Sequence, residues 1–180
     1  MKKIVIGATA VVLAVYLAFV VIQQIYPYVQ WLVQREREVR ATFADVAALQ
    51  ASEIVAASVK PWVAGVPEPP AGATLASVEY ADDGLTAPQI ALKYERTSGA
   101  RFMQYTVGGN YDLPNHKKLK SAALGAIDAD VLVGRDNSVV IKWRDPAGPP
   151  YRYVYFYDPS LREDEMIDIA SAFAAAAATT

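Results

Sequence analysis

Side chains able to do acid–base, nucleophilic or metal chemistry are scarce in this chain of 180 residues. It has one histidine, His116, and no cysteine. A structural zinc site needs three or four such ligands, so the sequence predicts no metal centre of that kind. A serine–histidine–carboxylate arrangement is open by composition, but no glycine pattern of the nucleophile-elbow type frames any serine. His116 stands beside Lys117, Lys118 and Lys120, whose positive charge would depress its basicity; its plainest meaning is the solvated start of a helix. The carboxylate groupings have equally plain meanings. Asp82-Asp83 reads as a turn, and the acidic residues from Glu163 to Asp168 suit the start of a helix. Asp128-Ala129-Asp130 lacks the further oxygen ligands and the glycine of a calcium loop. Neither phosphate-cradling glycine motif occurs. The reading is of a protein that is not an enzyme and that takes no cofactor.

Two groups of side chains point instead to contact. Tyr151, Tyr153, Tyr155 and Tyr157 are spaced by two. In a strand they line one face, and Arg152, Val154 and Phe156 line the other. Phenol rings in such a row pack across strands while their hydroxyls stay wet. One meaning is a sheet face covered by a helix; the other is an aromatic strip for a protein partner or a glycan. The second group is Lys117, Lys118 and Lys120, read either as a solvated helix face or as a contact for anionic lipid headgroups or an acidic partner. Nucleic acid is disfavoured as a partner. Setting aside Lys2 and Lys3, 15 basic residues face 19 acidic ones beyond residue 33, a net of −4.

The elements that would carry these groups follow from hydropathy and punctuation. The chain is 53% hydrophobic with a mean hydropathy of +0.15, and about 25 of its first 33 residues are apolar. Ile4 to Ile22 carries no charge, a length that as a helix would reach about 28 Å. Tyr26, Tyr28 and Trp31 follow it as an interface collar. Residues 1–33 are therefore predicted to be an uncleaved single-pass transmembrane anchor, with the remainder outside the cytoplasm (periplasmic or extracellular). Ala10, Ala14 and Ala18 form a small-residue stripe for helix packing, and Tyr16 belongs to a second stripe with Thr9, Gln23 and Gln30. The partners this implies are a membrane and other membrane-protein subunits, or a second copy of the chain.

Residues 34–60 contain neither proline nor glycine, and Val39, Phe43, Val46, Leu49 and Ile54 approximate one apolar stripe. They are predicted to be an amphipathic juxtamembrane helix continuing the anchor. Residues 61–74 are proline-rich and read as an extended linker. Residues 75–180 alternate like an antiparallel sheet, giving an α+β fold class overall. Strands are predicted at Leu75–Tyr80, Gln89–Arg96, Arg101–Val107, Val131–Val133, Val139–Arg144 and Tyr151–Tyr157. A short helix is predicted at His116–Ile127, capped by Asn115, and a C-terminal helix from a capping box at Ser160.

Lys2-Lys3 ahead of Gly7, an apolar stretch, and Pro27 about twenty residues on give the layout of the chain a loose resemblance to type IV pilin-like subunits. Val12 stands where that family carries glutamate. The resemblance implies a long N-terminal helix, a sheet domain and filament assembly. The leading expectation is different: a non-catalytic, membrane-anchored accessory or structural subunit of a cell-envelope complex. A ligand- or glycan-binding envelope module is the other alternative.

Overall fold

A computed structural model describes residues 16, 19–29, 38–84, 86–109, 113, 115–145 and 151–178, the last of these without its side chain. The chain divides into two compact units, Met1–Glu38 and Val39–Thr180.

In the first unit, residues 19–29 are helical, and Phe19, Ile22, Ile25, Tyr26 and Tyr28 are all exposed. Eleven residues of helix rise about 16 Å, roughly half of a hydrocarbon core. The stretch also contains Gln23, Gln24 and Pro27. Among the described residues no helix is long and apolar enough to cross a membrane. This overturns the expected transmembrane anchor over residues 1–33 and, with it, the single-pass membrane localisation and the single-span membrane partner. Hydropathy reports composition, whereas spanning needs one unbroken helix of about 20 residues. Ala10, Ala14, Ala18 and Trp31 lie outside the described residues. Tyr16, Tyr26 and Tyr28 are exposed helical residues.

The second unit is mostly one eight-stranded antiparallel sheet with a few short helices. Its elements are β1 (Val39–Phe43), α1 (Val46–Ala51), a 3-10 turn (Lys60–Val63), β2 (Ala73–Asp82), β3 (Gln89–Arg96), β4 (Arg101–Gly108), β5 (His116–Leu124), β6 (Ile127–Gly134), β7 (Val139–Trp143), β8 (Arg152–Phe156) and α2 (Glu163–Ala178). The predicted helix over residues 34–60 is corrected to β1, α1 and the 3-10 turn. Val39 and Thr42 are β-branched, and Val39–Phe43 pairs in full register with Val78–Asp82. Asp45 then starts α1 by accepting the Ala48 N–H at 2.7 Å. Local periodicity loses here to strand pairing and a cap.

Strand order is β1-β2-β3-β4-β8-β7-β6-β5. Two four-stranded meanders thus run inward and meet at the β4–β8 pair, where Tyr105 faces Val154. The second meander begins with a further correction. The predicted helix at His116–Ile127 is instead β5, its tight turn and the start of β6, with Leu124 opposite Ile127 and Gly125 at φ 65°. Lysine, alanine and leucine are good helix formers, but propensity is worth only tenths of a kcal/mol per residue and pairing to β6 overrides it. Three lysines on this open edge also deter pairing with another strand.

One face of the sheet holds the core. Val78, Ile90, Leu92, Tyr94, Tyr105, Ile141, Trp143, Val154 and Phe156 pack with Leu49, Val59, Val63, Ala170 and Phe173 from the helices and turn. The Phe173 ring meets Tyr105 at 4.4 Å and Tyr94 edge-on at 6.1 Å. The helix α2 begins three residues later than Ser160 because the Ser160 hydroxyl and N–H are both taken by Asp158. The Arg162 N–H donates to Glu165 Oε2 at 2.8 Å instead, half of a capping box at the next turn.

Candidate functional site

Strand β8 serves both faces of the sheet. Val154 and Phe156 enter the core, while Tyr153 lies between Thr106 and Lys142, and Tyr155 between Gln104 and Val140, on the opposite face. Buried Ala91, Val140 and Tyr153 stand apart from the core cluster. This is a second layer, built from side chains of the strands.

The tyrosines there are held in a chain of ring contacts. Tyr153 is only 2% exposed, and its hydroxyl accepts from Gln89 Nε2 at 2.7 Å. Its ring meets Tyr155 edge-on at 5.6 Å, and Tyr155 stacks on Tyr157 at 6.0 Å and 10°. Lys142 Nζ sits 4.0 Å above Tyr151, and the Arg101 guanidinium lies 5.8 Å from the Tyr157 ring centre. Tyr151, Tyr155 and Tyr157 are each half-buried. Burial raises the Tyr157 phenol above its ordinary value; Arg101 pulls it down and Asp136 pushes it up.

His116 joins this face from the far edge. Its ring packs edge-on against Tyr155 at 5.4 Å, with Nε2 3.3 Å from Ser138 Oγ. Gly134 makes the approach possible, since a Cβ there would stand 2.9 Å from His116 Nε2 and 2.5 Å from both Ser138 Oγ and Asp136 Oδ1. The imidazole is therefore half-buried against an aromatic ring, rather than a solvated helix start. Its Nδ1 is buried with no hydrogen-bond partner among the described residues.

Serine, histidine and aspartate thus come together, but in an order that does not activate the serine. The Ser138 hydroxyl donates to Asp136 Oδ1 at 2.6 Å, and the Ser138 N–H reaches the same oxygen at 3.1 Å. A nucleophilic triad needs the carboxylate on imidazole Nδ1 and the imidazole as acceptor from the hydroxyl. Here the carboxylate closes an Asx turn. Both Ser138 bonds hold the Asp136 carboxyl below its ordinary range.

The same Asp-x-Ser device recurs at the other side of a cleft of about 490 Å³. Asp158 Oδ1 accepts the Ser160 hydroxyl at 2.6 Å and its N–H at 2.9 Å, while Oδ2 accepts from Arg96 Nε at 2.9 Å. These contacts, led by the serine hydroxyl, hold Asp158 below the usual carboxylate value. Asp136, Asn137 and Ser138 form one lip, Tyr157, Asp158 and Pro159 the other, and Val139, Phe156, Leu161 and Met166 the apolar lining. That volume falls within the roughly 300–1,000 Å³ of small-ligand sites. Asn137 adopts a left-handed backbone at φ 62°, which asparagine tolerates better than most residues. Tyr157 also lines a small pocket of about 70 Å³ with Lys93, Glu95, Arg101 and Gln104. It therefore borders both concavities, and the tyrosine face runs directly into the cleft.

The lysine cluster is placed differently. Lys118 pairs with Asp130 at 2.6 Å, and Lys120 pairs with Glu163 on α2; Lys117 is exposed on β5. Lys118 shares the tyrosine face, whereas Lys120 turns toward α2, so the three lysines do not converge with the tyrosines on one patch.

Two features escape sequence reading. The cleft was signalled only by two Asp-x-Ser tripeptides, each of which alone means a turn. The other is a polar cluster under the 3-10 turn. Arg152, 4% exposed, donates to Asp145 Oδ2 at 2.7 Å, to the Tyr105 hydroxyl at 2.6 Å and to the Trp62 carbonyl at 3.2 Å. An arginine alternating with Val154 and Phe156 was the available signal that a buried partner had to exist. This cluster ties β4, β8, the end of β7 and the 3-10 turn together, which makes it structural. No protein-family model, no curated protein and no solved structure matches this chain.

Proposed function

We propose that this chain is a non-catalytic binding subunit of a larger protein assembly, and that it meets a protein partner through the tyrosine face around Tyr155 and Tyr157. One observation carries the reading. A row of stacked, half-exposed tyrosines occupies the sheet face that lies opposite the helix-covered core. Tyrosine gives large, rigid contact area at low entropic cost, and interface centres are enriched in it. Arg101, Gln104 and Lys93 border the rings and form the polar rim such a contact needs. The hydrogen-bond order at Ser138, His116 and Asp136 supports a binding role over nucleophilic catalysis.

The test is site-specific photo-crosslinking in the native cells at natural expression level. A photoreactive residue in place of Tyr157 is expected to yield one protein adduct of defined mass, and Tyr155→Ala in the same chain to abolish it. A photoreactive residue at Glu53, an exposed position outside the tyrosine row, serves as the control. Adducts absent from position 157, or equal from both positions, contradict the proposal. Binding of glycans in place of protein would select a lectin-like role instead.

A further inference from the structure

The cleft between the Asp136–Ser138 turn and the Tyr157–Pro159 segment carries at its lip a carboxylate, Asp136, that has no ion pair among the described residues. Several acidic groups at this end of the molecule have a basic partner. Asp158 is paired with Arg96 at 2.8 Å, Glu163 with Lys120, and Asp164 and Glu165 with Arg162 at 3.0 and 3.7 Å. Asp136 has no such ion pair among the described residues. Its Oδ1 is fixed by the Ser138 hydroxyl and N–H, and the residue is exposed at the lip of the cleft. The N-terminus of α2, which would otherwise attract anions, is complemented by its own Glu163, Asp164 and Glu165. Below the carboxylate lie Val139, Phe156, Leu161 and Met166, an apolar lining of which Phe156 is 2% and Met166 7% exposed.

A fixed carboxylate at the mouth of an apolar cleft suits a ligand with a cationic head and apolar flanks. We propose that the cleft receives a basic side chain of the partner polypeptide, an arginine or lysine set between apolar residues, with Asp136 taking its charge. The proposal rests on the reading of this chain as a protein-binding subunit and names the chemistry of what enters one end of that face. A guanidinium offers several donors in a plane and loses less hydration on entering than an ammonium, so arginine is the better occupant. The volume of about 490 Å³ holds that side chain together with part of its apolar neighbours.

The probe is the acetylated, amidated tripeptide Leu-Arg-Leu, compared with the same peptide carrying citrulline, which keeps the shape and removes the charge. Chemical shifts of the full chain at pH 7 report binding. The arginine peptide is expected to give saturable shifts at Ser138, Val139, Tyr157 and Leu161, with the citrulline peptide at least about tenfold weaker. Asp136→Asn keeps the oxygen that closes the Asx turn while removing the charge. It is expected to lower affinity for the arginine peptide to that of the citrulline peptide. Absence of saturable shifts with either peptide, equal affinity for both, or shifts confined to residues away from the cleft would overturn the proposal. Because the two peptides differ only in charge, this comparison stands on the unmutated protein even if the variant folds poorly. Crosslinking from position 157 with no peptide selectivity would reject this inference alone; loss of crosslinking rejects the broader reading.

Discussion

The two faces of this sheet are made by the same strands and are closed in different ways. On β8 and the residue that follows it, Val154 and Phe156 disappear into a core shared with Phe173, whereas Tyr155 and Tyr157 on the alternate positions stay half-exposed. The core face is closed by helices that bring apolar side chains from distant parts of the chain. The tyrosine face is closed only partly, by rings stacked along the strand and by His116 reaching over Gly134. A buried core and a half-exposed aromatic surface are thereby separated across about one sheet thickness. A substitution can therefore be assigned to one face or the other by its effect.

The comparison breaks most severely at Arg152. Arg152→Met leaves Asp145 buried without its cation, and the expected loss is about 3–5 kcal/mol in urea unfolding. Adding Asp145→Leu is expected to recover most of that loss, since a buried pair replaced by apolar groups often costs little. Next is Phe173→Ala, which empties the ring site between Tyr94 and Tyr105 and is expected to cost about 3 kcal/mol or more. A pH series sharpens the picture at the join between β3 and the chain beyond β8. Asp158 is held below the ordinary carboxylate value of 3.8, so the folded state binds its proton less readily than the unfolded chain. Its contribution is whole above about pH 4 and is lost as pH falls through the lowered folded value. Asp158→Asn is expected to flatten the acid limb of stability against pH below about 4, with little change in slope near neutrality. The smallest effect belongs to the rim. Lys118→Ala removes an ion pair about half exposed on both sides and is expected to change stability by less than about 1 kcal/mol.

What the sequence made legible was whatever depended on alternation and turns. Gln89–Arg96 shows period-two patterning and is strand β3 with those bounds. The face shared by Tyr151, Tyr153, Tyr155 and Tyr157 was readable from spacing alone. Long-range pairing was not readable. Residues 39–43 carry a plausible helical stripe, and only their register with Val78–Asp82 makes them a strand. His116–Leu124 has helix-forming composition and becomes an edge strand against β6. The apolar N-terminal stretch satisfied a hydropathy window, while its described helix covers eleven residues. The cleft at Tyr157 joins two turns 22 residues apart, and no local pattern announces such a meeting. Tyr153 also differs from the exposed strip that spacing suggests, being sealed beneath its neighbours and bonded to Gln89.

The division between a face that holds the fold and a face available for contact is tested most directly by urea unfolding of the paired substitution Tyr155→Ala and Tyr157→Ala. Their rings are half-exposed, and an edge-on or stacked aromatic pair adds about 0.5–1.5 kcal/mol beyond the area it covers. The expected result is a loss of no more than about 2 kcal/mol, below that of Phe173→Ala alone, with the denaturant slope unchanged. A loss equal to or greater than that of Phe173→Ala would show that the tyrosines belong to the folding core, and would contradict the account.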